Sequence, residues 1–187
     1  MGERKGKGHD GKISRMTSKP TNELKADLRK AVREARKLGF KCGEAHSMRL
    51  IELVVRNEFT VVTAYEEFDN EPTLAGFREW CQLNGVDVLL PVISSETELS
   101  WHIDGSEADI ESAQLIVMPA LAAGKDGSRL GRGKGYYDRA VSQLTTPRVV
   151  VVHDDELFDS VPSEQFDEKV SAVVTCSEIV FVDGRLN

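Results

Sequence analysis

The stretch IVMPALAAGKDGSRLGRGKGYYDRAV, residues 116–141, places a strand end, a glycine-rich loop and a helix start in one short run. Ile116, Val117 and Met118 are apolar, and Pro119, which cannot donate to a sheet ladder, marks where that strand finishes. Gly124, Gly127, Gly131, Gly133 and Gly135 follow, interleaved with Lys125, Arg129, Arg132 and Lys134. Glycines let backbone N–H groups approach and surround a ligand, and the cations supply the charge that polyphosphate oxygens require. After Gly135, Tyr137, Ala140, Val141 and Leu144 recur at helical spacing, so the loop is predicted to deliver a phosphate to a helix N-terminus. A glycine-rich basic run alone also describes a mobile surface loop. Tyr136, Tyr137 and Asp138 shift the balance toward a site, because aromatic rings stack on flat heterocycles and a carboxylate beside a phosphate site anchors Mg²⁺.

Upstream, Leu24, Leu28, Ala31, Ala35 and Leu38 form an apolar stripe that Thr21 or Asn22 can cap and Gly39 can end. Lys25, Arg29, Arg33 and Arg36 lie on another face, which spacing alone reads as a solvated basic face. Residues 43–57 suggest a second, mostly buried helix. Residues 59–65 are β-branched and aromatic, hence a strand, and run into the acidic cluster Glu66, Glu67, Asp69 and Glu71. Such clusters usually serve solubility, although open α/β sheets place ligands just past strand ends. Residues 73–83 read as a helix, 86–93 as a buried parallel strand and 99–103 as a short strand around Trp101, a core or pocket-wall residue. Residues 148–153 read as a buried strand, with short apolar runs at 172–174 and 179–182. Strands alternating with helices predict an α/β fold with a three-layer, mostly parallel Rossmann-like sheet, as a single domain over residues 21–187.

Composition narrows the function classes. At 187 residues and 40% apolar content the chain suits one domain and is short for two. The net charge of −7 argues against a nucleic-acid groove. Residues 1–20 carry Arg4, Lys5, Lys7, Lys12, Arg15 and Lys19 with no periodic apolar positions, which predicts a disordered basic tail. Cys42, Cys81 and Cys176 are odd in number, widely spaced and without a CxxC pair, so the sequence suggests neither a disulfide framework nor a zinc site, and a reducing cytoplasm fits. No apolar run reaches the length of a membrane span, and no signal-peptide core follows the basic N-terminus.

Pro119 followed by the Gly127-x-Arg129-Leu130-Gly131-x-Gly133-x-Gly135-Tyr136-Tyr137-Asp138-Arg139 block resembles the signature of the 5-formyltetrahydrofolate cyclo-ligase family. Lys25-x-x-Leu28-Arg29 resembles a second hallmark of that family. The resemblance implies ATP-dependent conversion of 5-formyltetrahydrofolate to 5,10-methenyltetrahydrofolate, with ATP and a reduced folate as partners, and the chain is expected to be a monomer. It implies ATP contacts from Lys25, Arg29 and the run Arg129, Leu130, Gly131, Arg132, Gly133, Lys134, Gly135, Tyr136 and Tyr137. Arg129, Lys134 and Tyr137 would be catalytic, Glu71, Tyr136 and Trp101 would face the folate, and Asp138 and Asp167 would hold Mg²⁺. Phe166 stands where the family frequently has a histidine, which removes an imidazole role there. The connection from Trp101 to Pro119 lacks the family's Gly-Ile-x-Glu-Pro element, so part of the usual folate wall is absent. The rival reading is a catalytically inactive nucleotide-binding relative with a regulatory or RNA-associated role through the tail.

Overall fold

The computed structural model describes residues 19–39, 42 and 44–186, so the expected tail lies outside the described residues except for Lys19 and Pro20. In chain order the elements are α1 (Thr21–Arg36), α2 (Ala45–Arg56), β1 (Val61–Thr63), α3 (Ala75–Leu83), β2 (Asp87–Ile93), β3 (Leu99–Ile103) and β4 (Ser106–Ala108). They continue with β5 (Ile116–Pro119), β6 (Ala122–Gly124), β7 (Arg129–Leu130), α4 (Tyr136–Val141), β8 (Arg148–Val151), β9 (Leu157–Phe158), β10 (Ala172–Val174) and β11 (Ile179–Phe181).

The sheet centre is parallel, and its strands β5, β8 and β10 are buried along almost their whole length, as parallel strands covered on both faces are. β5 pairs in parallel with β8 and β8 with β10, while β1 pairs in parallel with β2. The two halves are joined through a parallel bridge between Val62 and Leu115, with Thr63 N donating to Leu115 O at 2.9 Å. Successive strand residues point to opposite sides. Val117, Val149, Val151, Ala172 and Val174 pack on one side with Leu50, Leu53 and Val54 of α2 and Phe77 and Cys81 of α3. Ile116, Met118, Val150, Val152 and Val173 pack on the other with Val141, Tyr137 and Ala140 of α4. Helices on both faces make the three layers expected, and each fully buried valine or leucine contributes about 1.5–3 kcal/mol. The edges are antiparallel: β3 and β4 beside β2, and β11 beside β10.

Three features depart from the sequence reading. First, residues 86–93 do not form a wholly buried parallel strand. Asp87 to Leu89 pair in parallel with β1, but Leu90 to Ile93 pair with β3 in an antiparallel hairpin, and Val92 and Ile93 are exposed. Second, a small separate sheet, β7-β6-β9, packs against α1 through Val32, Leu121, Ala122, Leu130 and Val161. Third, α1 buries Lys25, Val32 and Arg36, while Leu24 and Leu38 of the apolar stripe are exposed. The reason is electrostatic: Arg36 donates to both oxygens of Glu156, at 2.6 and 2.9 Å, and to the Ala120 carbonyl at 2.7 Å. Arg36 and Glu156 are 1% and 2% exposed, and a charge buried so deeply is tolerated only when paired and hydrogen-bonded.

Contrary to the sequence expectation, Cys42 is paired with Cys176 as a disulfide, with their Cα atoms 5.7 Å apart. The two are separated by 134 positions, so no local spacing could have announced the pair. Cys81 is free and buried in the core.

Candidate active site

The glycine-rich loop leaves the centre of the sheet after β5 and returns to cross the end of α1. Arg29 Nε donates to Gly131 O at 2.9 Å and Arg33 Nη2 to Arg132 O at 3.5 Å, so the helix holds the loop by its carbonyls and leaves the N–H side turned elsewhere. Gly133 has φ +102°, and a Cβ added there would come within 3.4 Å of the Arg29 guanidinium. Only glycine takes that backbone conformation without strain. The helix that follows is shorter than the sequence suggested: α4 has six residues, opening at Gly135 in the left-handed region with no side-chain cap. Its dipole is correspondingly short, and side-chain cations carry most of the positive field.

Between α1, the loop and residues 164–167 lies a cavity of about 690 Å³. Lys25, Arg29, Arg129, Arg132 and Lys134 line it, against the carboxylates of Asp138, Glu164 and Asp167. Cations therefore outnumber anions in this cavity, although the chain as a whole is acidic. Lys25 Nζ lies 2.8 Å from Glu164 and 2.6 Å from Asp167, and Arg129 Nη2 lies 2.6 Å from Asp138. Arg29 and Lys134 make no ion pair with any described residue. Their charge is available to an incoming anion. Tyr137 Oη and Arg129 Nε are buried without a hydrogen-bond partner among the described residues. An unsatisfied buried donor costs about 1–3 kcal/mol, which a ligand can recover. Burial pushes the Tyr137 phenol far above its usual range, with Glu71 adding to the shift, so it is a proton donor in hydrogen bonding and not a base.

The structure brings most of the predicted site residues together. Lys25, Arg29, the whole run from Arg129 to Tyr137, Asp138 and Asp167 line one cavity. Glu71 and Trp101 stand behind its wall. Glu71 is buried and reaches the cavity through Arg132, which donates to it at 2.8 Å. Trp101 packs edge-on against Tyr137, with ring centroids 5.9 Å apart. Sequence reasoning missed Glu164, which shares Lys25 with Asp167, and the exposed apolar residues Phe68 and Ile93 at the rim. Phe68 lies under the Arg132 guanidinium at 4.6 Å. An exposed phenylalanine inside an acidic cluster was the signal available for it.

Asp138, Glu164 and Asp167 offer hard oxygen donors beside the loop that would hold phosphates, which is the donor set Mg²⁺ takes in nucleotide sites. Each of the three is held by a cation in this structure, so the carboxylates are positioned and charge-compensated before any ion arrives.

An α/β sheet with a cationic, glycine-lined cavity at the end of a central parallel strand is an arrangement suited to phosphate groups. Residues 101–176 match the 5-formyltetrahydrofolate cyclo-ligase family, so the resemblance read from the sequence is borne out by an independent comparison. The chain is 44% identical over 68 residues to the 5-formyltetrahydrofolate cyclo-ligase of Mycolicibacterium smegmatis, 35% of each chain. It is 33% identical over 103 residues to that of Mycoplasma pneumoniae, 52% of this chain and 62% of the relative. Less than two thirds of either relative is thus matched. In fold it resembles the 5,10-methenyltetrahydrofolate synthetase of Aquifex aeolicus, with a TM-score of 0.74, 24% identity, and coverage of 86% of this chain and 94% of that one. Among the described residues no helix is long and apolar enough to cross a membrane.

Proposed function

We propose that the chain is an ATP-dependent 5-formyltetrahydrofolate cyclo-ligase. The observation that carries the reading is the cavity itself, where Arg29 and Lys134 without carboxylate partners, hard carboxylates, and the orphaned Tyr137 hydroxyl converge on one glycine-lined loop. Sequence matches to proteins of that name support it, and the fold is shared with a 5,10-methenyltetrahydrofolate synthetase.

The chemistry asks little of a strong base. A formamide oxygen is a poor leaving group; attack of that oxygen on the γ-phosphorus of ATP releases ADP and leaves it phosphorylated. The neighbouring side-arm nitrogen then attacks the formyl carbon, loses its proton to solvent, and expels phosphate to complete the methenyl ring. Catalysis is positioning and charge neutralisation. Arg29, Arg132 and Lys134, with the loop N–H groups, hold the triphosphate, and Arg129 orients Asp138. Asp138 and Asp167 would hold Mg²⁺, which would offset phosphate charge during transfer. Tyr136 and Tyr137 face the reacting centre, while Trp101 and Glu71 fix Tyr137 and Arg132 from behind. Phe68 and Ile93 offer apolar surface at the mouth for a flat ring.

The test is to mix purified protein, MgATP and 5-formyltetrahydrofolate and follow methenyltetrahydrofolate absorbance. Product formation that requires ATP and stops on chelation of divalent metal is expected. ATP binding without product, even at high folate, would overturn the enzyme reading in favour of a nucleotide-binding role.

A further inference from the structure

A second cluster of reactive side chains lies apart from the phosphate cavity. Cys42, His46 and His153 offer ligand atoms that all lie within 4.8 Å of one another. Cys176 joins them: its Sγ is paired with that of Cys42 and lies 3.8 Å from His46 Nε2. Cys42 Sγ lies 3.9 Å from His153 Nδ1. His46 comes from the first turn of α2, His153 follows the end of β8, and Cys176 follows the end of β10, so the fold delivers them from the ends of adjacent parallel strands and a helix start.

We propose that Cys42, His46, His153 and Cys176 form a tetrahedral site for a zinc-class divalent ion when both cysteines are reduced. Two thiolates and two imidazoles are a donor set that zinc takes in closed structural sites. With Zn–S near ~2.3 Å and Zn–N near ~2.0–2.1 Å, a sulfur and a nitrogen on one tetrahedral ion stand roughly 3.6 Å apart. The two observed sulfur–nitrogen separations are 3.8 and 3.9 Å, close to that value, whereas the two sulfurs, bonded to each other in this structure, must part to roughly 3.8 Å around the ion once reduced. His153 Nε2 lies 3.2 Å from the Asn70 carbonyl, to which it donates, and the ring accepts from the Glu156 backbone N–H on its other side, 3.9 Å from Cys42 Sγ, so ligation through Nδ1 exchanges that capping hydrogen bond for the metal. An outer partner of this kind is what fixes the tautomer of a metal-ligating histidine. His46 Nε2 lies 3.0 Å from the Val152 carbonyl, so ligation through it exchanges that hydrogen bond for the metal. Both histidines are buried, at 1% and 5% exposure, and two thiolates on a divalent ion give a neutral centre whose burial is inexpensive.

The metal form and the disulfide form exclude each other. A dithiol reductant must supply two electrons and two protons to open the Cys42–Cys176 bond, and binding of the ion then releases the two thiol protons. Four protein ligands leave no open position, so the site is structural: it pins the start of α2, the ends of β8 and β10, and, through Asn70, the loop that carries Glu71.

Cobalt(II) is the probe. The full chain is reduced under anaerobic conditions, shown to have three thiols in a denatured aliquot, and titrated in the native state with Co²⁺ and then Zn²⁺. A thiolate-to-cobalt charge-transfer band with intense visible absorption of a tetrahedral site is expected, saturating at one equivalent and displaced by Zn²⁺. Cys42→Ser and Cys176→Ser should lose the band. His153→Asn should weaken cobalt binding by at least the ~10–100-fold that loss of an outer partner costs. Cys81→Ala should keep it. Zinc should also raise the melting temperature of the reduced native chain and leave that of Cys42→Ser unmoved, which separates a lost site from a misfolded variant. A fully reduced, folded protein giving only weak octahedral cobalt absorption overturns the proposal. So does a Cys42–Cys176 bond that cannot be opened without unfolding the chain.

Discussion

Lys25 and Asp167, 142 positions apart in sequence, meet at 2.6 Å, and the same ammonium reaches Glu164 at 2.8 Å. The lysine is 5% exposed, so one buried cation holds two carboxylates at the edge of the cavity. Lys25→Met keeps the stem packed and removes the charge, leaving the two acids facing each other. Stability should fall by about 1.5–3 kcal/mol, the usual worth of a hydrogen bond to a charged group. Chemical denaturation measures this, and an unchanged midpoint would show that the pair is only superficial.

The same contact predicts an acid-dependent stability. Burial raises the Asp167 pKa, but hydrogen bonds from Lys25 and the Glu164 backbone outweigh it and hold the carboxyl below its ordinary value. A pKa depressed on folding stabilises the native state above the unfolded value, near ~3.9, and that stability is lost as pH falls through the folded value. Asp167→Asn should therefore be less stable than the parent at neutral pH, with the gap closing on acidification below about pH 4. Parallel denaturation series at several pH values test the convergence.

Lys134 is exposed and makes no ion pair with a described residue, so its removal should leave the fold intact. Lys134→Ala should still weaken ATP binding, since losing one charge-assisted contact costs ~1.5–3 kcal/mol, roughly tenfold to a hundredfold in affinity. Isothermal titration reads the change, and a native affinity removes Lys134 from the site.

Arg36→Met addresses a residue whose importance spacing concealed. It strands Glu156, 2% exposed, without its cation, and removing one partner of a buried pair typically costs about 3–5 kcal/mol. The double replacement Arg36→Met with Glu156→Gln should recover part of that loss, which thermal melts of the two variants beside the parent would reveal.

These cases show which parts of the chain were legible. Residues 116–141 could be read because strand, loop and helix start are contiguous, and glycine and charge mark the loop locally. The alternation of Val149 to Val152 between two cores likewise follows from a run of valines. The inward face of α1 could not be read, because Lys25 and Arg36 find their carboxylates more than a hundred positions away. Hydrophobicity counted Leu24 and Leu38 as the core face when distant charges decided otherwise. The same holds for Cys42 and Cys176, and for the second half of β2, where pairing with β3 overrode an apolar pattern.

Tyr137 gives the sharpest separation of fold from function. Its ring is packed against Trp101 and the sheet, yet its hydroxyl is buried with no hydrogen-bond partner among the described residues. Tyr137→Phe keeps the packing and removes an unsatisfied donor, so stability should be unchanged or slightly higher. If the hydroxyl donates to an oxygen of the reacting phosphoryl or formyl group, turnover should fall while ATP affinity is kept. An interaction made only in the transition state lowers kcat and kcat/KM together, whereas one made equally in the ground state raises KM alone. The burial that holds the phenol protonated also predicts no ionisation of Tyr137 across the working pH range, so the native and Tyr137→Phe pH–rate profiles should keep the same shape. Steady-state kinetics on both proteins, beside their denaturation curves, decides the matter. Equal kcat in the two would leave the hydroxyl without a catalytic role.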